Sequence, residues 1–339
     1  MAERIARRSV LKGLVAAPLL GTALAGCATR HSTTPAGTLN IGQISDSVAF
    51  LPLYIAETKG FFTEEGLTLG ERPRLGTGAK VAAALKSGSI DLGAGVITDA
   101  FNLARIDDGT KIVSSLVTEY YVDVIVAADF EGPGDDATME DKVAALVGKR
   151  IGITGPGSGT EGLVNYLFNA IGRNAAIDST LVNLGSAATA AIGALKSDRV
   201  DALAFFQPIG QQAEATGTGR IYLSPARGDI PSMRGALHGV MFSTSKLLER
   251  KRDEVAGFNR AIARALDVIH GDPAHARELL GKYLDKSNPE ALDALLPILR
   301  AEIPASPEVG RQAYETATKF HLDSGLIDKA PGYGSVILA

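Results

Sequence analysis

Four short loops of serine, threonine and glycine carry the groups best suited to hold a small polar molecule. They are Ser45-Asp46-Ser47, Gly76-Thr77-Gly78, Gly157-Ser158-Gly159-Thr160 and Gly185-Ser186. Each follows a predicted strand and precedes a predicted helix. At such a junction the first N–H groups of the helix have no intrahelical partner, and the helix dipole favours negative charge. Glycine lets a solute approach the backbone, and the hydroxyls add rotatable donors. Any one of these residues would serve equally well as a helix cap. Four such loops facing one cleft imply a site for an anion or for polar oxygens.

Strand ends supply further candidates. Val96-Ile97-Thr98-Asp99 closes one predicted strand, and Phe205-Phe206-Gln207-Pro208 closes its counterpart. Phe205 is read as core. Tyr120, Tyr121 and His238 lie beside two predicted crossover strands, where tyrosine can stack on a flat solute or donate its hydroxyl. The candidate binding set is therefore Ser45, Asp46, Phe50, Thr77, Gly78, Ile97, Thr98, Tyr120, Tyr121, Ser158, Gly159, Thr160, Ser186, Gln207 and His238. For a strong anion Arg72, Arg74, Arg227 and Arg234 are possible partners, and their order stays open.

Catalytic patterns are missing from the sequence. The five histidines have no metal-ligand spacing, and His270 and His275 stand five apart, off a shared helix face. Gly157-x-Gly159-x-x-Gly162 fits a dinucleotide fingerprint, but the acid at the expected distance, Asp178, precedes the next strand instead of ending it. No metal, no cofactor and no enzymatic activity are expected.

What must position these loops is a duplicated α/β unit. Ala84–Asp91 (ALKSGSID) returns as Ala194–Asp201 (ALKSDRVD), 110 residues later. Ile41-Gly42 and Ile151-Gly152 stand the same distance apart. Each half reads strand, small-residue loop, helix, strand, loop, helix, and then this phrase, which ends the helix and opens the next strand. Such alternation predicts parallel pairing. Strands Tyr120–Asp129 and Ala236–Ser245 are the expected crossings between halves, and the chain beyond them is helical.

The amino terminus has another purpose. Arg4, Arg7, Arg8 and Lys12 precede an apolar run from Gly13 to Leu24, too short to span a membrane. The run ends at Leu24-Ala25-Gly26-Cys27, which resembles a bacterial lipobox with Cys27, the sole cysteine, as the lipidated residue. Arg7-Arg8-Ser9-Val10-Leu11-Lys12 resembles a twin-arginine export signal. Residues 1–27 are thus read as a signal peptide, 28–37 as a tether, 38–123 with 234–339 as one lobe and 124–233 as the other. The net charge of −4 rules against a nucleic-acid partner.

"PLYIAETKGFFTEEGL" (52–67), "ALKSGSIDLGAG", "GKRIGITGPGSGT" (148–160) and "ALKSDRVDALAFFQP" resemble, in order and spacing, the substrate-binding proteins of nitrate/sulfonate/taurine-type ABC importers. That family also includes binders of thiamine pyrimidine precursors. The resemblance implies a two-lobed, type II periplasmic-binding-protein-like α/β fold. Each lobe would be a mixed, mostly parallel sheet flanked by helices, with the helical tail packed back on the first lobe. It also implies a monomer, anchored outside the cytoplasmic membrane through lipid on Cys27, that passes a small solute to a permease and its cytoplasmic ATPase. An organic anion such as a sulfonate or carboxylate is the favoured solute, and a pyrimidine-like heteroaromatic the alternative. An enzyme or a ligand sensor on the same scaffold is the remaining alternative.

Overall fold

A computed structural model describes residues 37–338. The segment read as a signal peptide, Cys27 and nearly all of the segment read as a tether lie outside the described residues. Strands β1 (Thr38–Leu39), β2 (Ile41–Gln43), β3 (Thr68–Leu69), β4 (Leu92–Val96) and β5 (Thr110–Val117) come first. They are followed by β6 (Val122–Ala127), β7 (Arg150–Ile153), β8 (Thr180–Asn183), β9 (Ala202–Phe206), β10 (Gly219–Leu223) and β11 (Gly239–Thr244). One sheet has the order β2-β4-β11-β5, a second the order β10-β6-β9-β7-β8, and β1 pairs with β3 alone.

Both sheets are mixed. Pairings β2/β4, β7/β8 and β7/β9 are parallel, whereas β11 runs antiparallel to both its neighbours and β6 to both of its own. The parallel share is smaller than the βαβ pattern alone predicts. Its reduction comes from the crossing segments. The chain leaves the first sheet at β5, enters the second at β6, and returns through β11.

The duplicated phrase has the same task twice. Helix Gly78–Ser87 ends on Gly88 in the left-handed conformation (φ 72°), and helix Ala188–Lys196 is followed by Asp198 at φ 54°. Asparagine and aspartate are the side chains that enter this region with least penalty. The last residue of the phrase then reaches the neighbouring strand. An Asp91 carboxylate oxygen accepts the N–H of Asn40 at 2.9 Å, and Asp201 accepts that of Arg150 at 2.7 Å. In each sheet the aspartate fixes where a parallel neighbour begins.

The helical tail was expected to pack on the first lobe, and its longest helix, Arg252–Gly271, lies against helices Leu51–Thr58 and Phe61–Glu64 there. Two later helices meet that expectation and also go beyond it: Leu292, Leu295 and Leu299 sit in the first-sheet core, and Tyr314 and Ala317 share a cluster with Phe101 and Phe242, but both helices touch the second lobe as well. Pro289–Glu302 packs on helix Ile209–Ala215, and Arg311–Asp323 on helix Gly159–Ala170, both flanking the second sheet. The tail therefore ties the two sheets together.

One tight approach sets β10 against β6. A Cβ on Gly219 would stand 2.4 Å from the carbonyl oxygen of Val126 and 2.9 Å from a Leu195 methyl. Backbone cannot yield as a side-chain tip can. Gly219→Ala is expected to cost about 1–3 kcal/mol, read as a lower urea midpoint at unchanged slope; an unaltered midpoint would show that β10 shifts freely.

Candidate functional site

The ends of both sheets face a cavity of about 350 Å³. Each of the four small-residue loops contributes to its wall: Ser45 and Ser47, Gly76 to Gly78, Gly157 to Thr160, and Ser186. Thr77 and Ser158 are N-caps, their hydroxyl oxygens accepting the N–H groups of Lys80 and Glu161. Capping and cavity lining thus coexist in the same residues. The Ser158 hydroxyl donates to the carbonyl of Gly155 at 2.6 Å and sits 2.8 Å from the Thr160 hydroxyl, which accepts the N–H of Thr154. That network holds the loop, whose Gly157 N–H goes to Glu161 Oε2 at 2.6 Å and whose Ser158 N–H goes to the Gly155 carbonyl, and it leaves Gly159 and Thr160 on the cavity wall.

The remaining predicted residues divide between wall and core. Tyr121 and His238 line the cavity. Tyr120 does not: successive strand residues point to opposite faces, and its hydroxyl instead donates to the Gly159 carbonyl at 2.6 Å. Its ring packs 4.1 Å from that of His238, making it a strut behind the site. Phe50 is buried among the core residues of the first sheet. Gln207 is fully buried, its amide donating to Glu302 at 2.9 Å. Asp46 borders an outer cavity that shares Ser45, Gly76, Ser186 and Phe206 with the inner one, and it accepts Arg74 at 2.6 Å.

The segment after β4 needs a correction. Ile97 and Thr98, expected to face the cleft, are buried in the core, where the Thr98 hydroxyl meets His321 Nε2 at 2.7 Å. His321 Nδ1 donates to the carbonyl of Ala317, so Nε2 is the acceptor for Thr98. The residues that do line the cavity are Val96, Asp99 and Asn102. Their spacing of three is that of one helix face. A helix begins at Ile97, so the two-residue strand alternation stops applying there. Thr154 and Phe206 also line the wall, and neither is in the predicted set.

Electrostatically the cavity wall carries little fixed charge. Among the described residues no arginine or lysine lines the cavity. Arg72 and Arg74 are engaged by Glu57 and Asp46, and Arg227 by Glu214. Burial pushes the His238 imidazole well below its ordinary range, with His321 adding to the effect, so it is neutral at pH 7. Burial raises the Asp99 carboxyl to about 6, against the lowering effect of the Val96 N–H. No cluster of three or more His, Cys, Asp or Glu side chains fit to hold a metal occurs among the described residues. None of their helices is long and apolar enough to cross a membrane.

The family model described as "NMT1/THI5 like" matches residues 47–276. The chain belongs to that family. YtlA of Bacillus subtilis (strain 168) is 22% identical over 321 residues, spanning 93% of this chain and 91% of that protein. The alkanesulfonate-binding protein SsuA from Xanthomonas axonopodis pv. citri, solved with MOPS bound, superposes with a TM-score of 0.68 at 20% identity, over 89% of this chain and 99% of its own. The periplasmic aliphatic sulphonate binding protein SsuA from Escherichia coli gives 0.65 at 18% identity, over 86% and 92%. At these identities the structural likeness establishes the periplasmic-binding-protein fold for this NMT1/THI5-like chain, two mixed α/β sheets flanked by helices.

Proposed function

We propose that the chain is the extracytoplasmic solute-binding lipoprotein of an ABC importer, holding a small organic anion, sulfonate- or carboxylate-like, between two lobes. The observation that carries this reading is the convergence of helix N-termini from both sheets on one cavity, through Gly78, Gly159 and the Ser186 loop. Backbone N–H groups and dipoles can hold an anion there without an arginine. The sulfonate binding for which the two SsuA neighbours are named supports it. A solute touching both walls has differential affinity for the closed arrangement and shifts the population toward it; the permease would read that closure. Anchoring through Cys27 rests on the lipobox and suits a binder that must stay near its permease. The boundaries 38–123 with 234–339, and 124–233, are our division into lobes.

A flat heteroaromatic solute is the second reading, favoured by Tyr121, Phe206 and His238 on the cavity wall.

Thermal shift of the chain from Ala28 onward tests the reading. Ethanesulfonate, propanoate, nitrate and a pyrimidine, each at about 100 times its Kd, would stabilise by about 2.7 kcal/mol, or about 5 °C. A shift with the sulfonate or carboxylate is expected. A shift with the pyrimidine alone would replace the anion by the heteroaromatic, and no shift at all would remove the binding-protein reading.

A further inference from the structure

The cavity that would receive the anion is lined by a carboxyl group, Asp99, and among the described residues by no cationic side chain. Asp99 Oδ2 accepts the N–H of Val96 at 3.0 Å and so caps helix Ile97–Ala104. Oδ1 makes no hydrogen bond to another described residue and lies over the start of helix Gly78–Ser87, where a Cβ on Gly78 would collide with it. A Cβ on Gly95 would stand 2.7 Å from Oδ2, so two glycines make room for this one side chain. A helix end suited to an anion therefore has a carboxyl oxygen already on it. Across the cavity Glu161 accepts the Gly157 N–H, but its side chain does not line the wall.

An anion and an ionised Asp99 would share a confined, poorly screened space, where like charges repel strongly. The repulsion disappears if the carboxyl takes a proton, and the acid then has an O–H to donate to the anion. No neighbouring group can supply the missing positive charge instead. Burial raises the Tyr121 phenol and lowers the His238 imidazole, so both are neutral at pH 7. His321, behind Thr98, is lowered to about 4. Lys80, in the first turn of helix Gly78–Ser87, is exposed and off the cavity wall, and Arg74 is paired with Asp46. Burial by itself raises Asp99 to about 6, so a proton is readily held there near neutral pH.

Resting on the organic-anion reading above, we propose that Asp99 touches the solute as a neutral acid, the protein taking up one proton from solvent with each anion it binds. Asp99 Oδ1–H donates to a charged oxygen of the solute, while Oδ2 keeps the Val96 N–H. No bond of the solute is made or broken. Capture is thus linked to pH. Above the free-state value of about 6, affinity falls by up to about tenfold for each unit that the pH rises, and below it affinity is flat.

Titration calorimetry of the wild-type protein with ethanesulfonate and with propanoate, at pH 7 in buffers of different ionisation enthalpy, counts the protons. Both probes are ionised at that pH, so a proton taken up goes to the protein. About 0.8 to 0.9 proton per bound anion is expected, with binding about 10- to 50-fold weaker at pH 8 than at pH 6. Asp99→Asn keeps an oxygen for the Val96 N–H and offers an amide N–H in place of the acid O–H. In that variant the uptake should fall below about 0.2 proton, the affinity should be flat from pH 6 to 8, and binding at pH 8 should exceed that of wild type by about 10-fold or more. A folding defect would weaken the variant at every pH and would leave the wild-type proton count as the deciding measurement. No uptake by wild type would overturn the inference, as would an uptake that survives in Asp99→Asn, which would assign the proton to another group such as His238. Both results leave the anion-binder reading standing. If neither anion binds at any pH, the organic-anion reading itself falls, and this inference with it.

Discussion

Ser158→Asp is expected to lower affinity for an organic anion by about 100-fold while leaving the fold in place. Aspartate is as good an N-cap as serine, so helix Gly159–Ala170 keeps its start and the dipole favours the acid, while the lost donation from the Ser158 hydroxyl to the Gly155 carbonyl costs about 1 kcal/mol of stability. What changes is the charge at the mouth of the helix. A carboxylate about 5 Å from a bound anion, at an effective dielectric constant of about 20, opposes it by about 3 kcal/mol. Ser158→Thr, which retains a hydroxyl cap without charge, should bind within about 3-fold of wild type. Calorimetry with ethanesulfonate and propanoate reads both variants, and urea unfolding checks that each is folded. Unchanged binding in the aspartate variant would place the anion away from this helix end and remove the chief support for the proposed function.

The loops that build this site were legible in the sequence because small residues after a strand have few other uses in such numbers. All four line the same cavity. The duplicated phrase was legible as a turn that ends a helix and opens a strand, whereas the reach of its aspartates to the starts of β2 and β7 shows only in the folded chain. What the pattern could not give was parity. Tyr120 and Tyr121 are chemically alike, and only the register of the chain entering β6 sends one to the cavity and the other behind it. At Val96 the period changes from two to three residues, so a strand-based choice selected Ile97 and Thr98 where the helix presents Asp99 and Asn102. Phe50 and Gln207 were misplaced for a further reason. Their partners, the first-sheet core and Glu302 at the end of a distant helix, are close only after folding. The same non-local packing explains why helices Pro289–Glu302 and Arg311–Asp323 reach the second sheet.

Glu302 has a consequence that pH should expose. It ends helix Pro289–Glu302, its carbonyl accepts the N–H of Thr118 at 2.8 Å on the segment between β5 and β6, and its side chain meets Gln207 at the end of β9. Glu302 Oε2 and Gln207 Oε1 are both buried without a partner. A proton on Oε2 turns one of these orphan acceptors into a donor, which a neutral acid beside an amide can use. Burial raises the Glu302 carboxyl to about 8, with Asp123 and Glu119 adding to the effect, and raises Asp123 to about 7. A raised acid contributes stability that is present below its unfolded pKa, 4.5 for Glu302, and lost as pH rises through the folded value. The buried histidines work in the opposite direction. His321, lowered to about 4, and His238, lowered well below its ordinary range, stay neutral when folded, so the protein loses stability as pH falls below 6.5. Between pH 4 and 6.5 these contributions oppose one another. Above 6.5 the two acids act alone, so the protein should lose about 2–3 kcal/mol by pH 8.5. Glu302→Gln keeps an acceptor for the Gln207 amide and supplies a permanent donor for Gln207 Oε1. It is expected to match wild type at pH 4.5 and to exceed it at pH 8.5 by about 3 kcal/mol, allowing for relaxation around the ionised acid. Urea unfolding at pH 4.5, 6.5 and 8.5 measures both curves. Should wild type hold its stability from 6.5 to 8.5 and the variant run parallel to it, Glu302 is already ionised at neutral pH, and the tie between the helical tail and β9 is an ion held by Gln207 instead of an acid–amide pair.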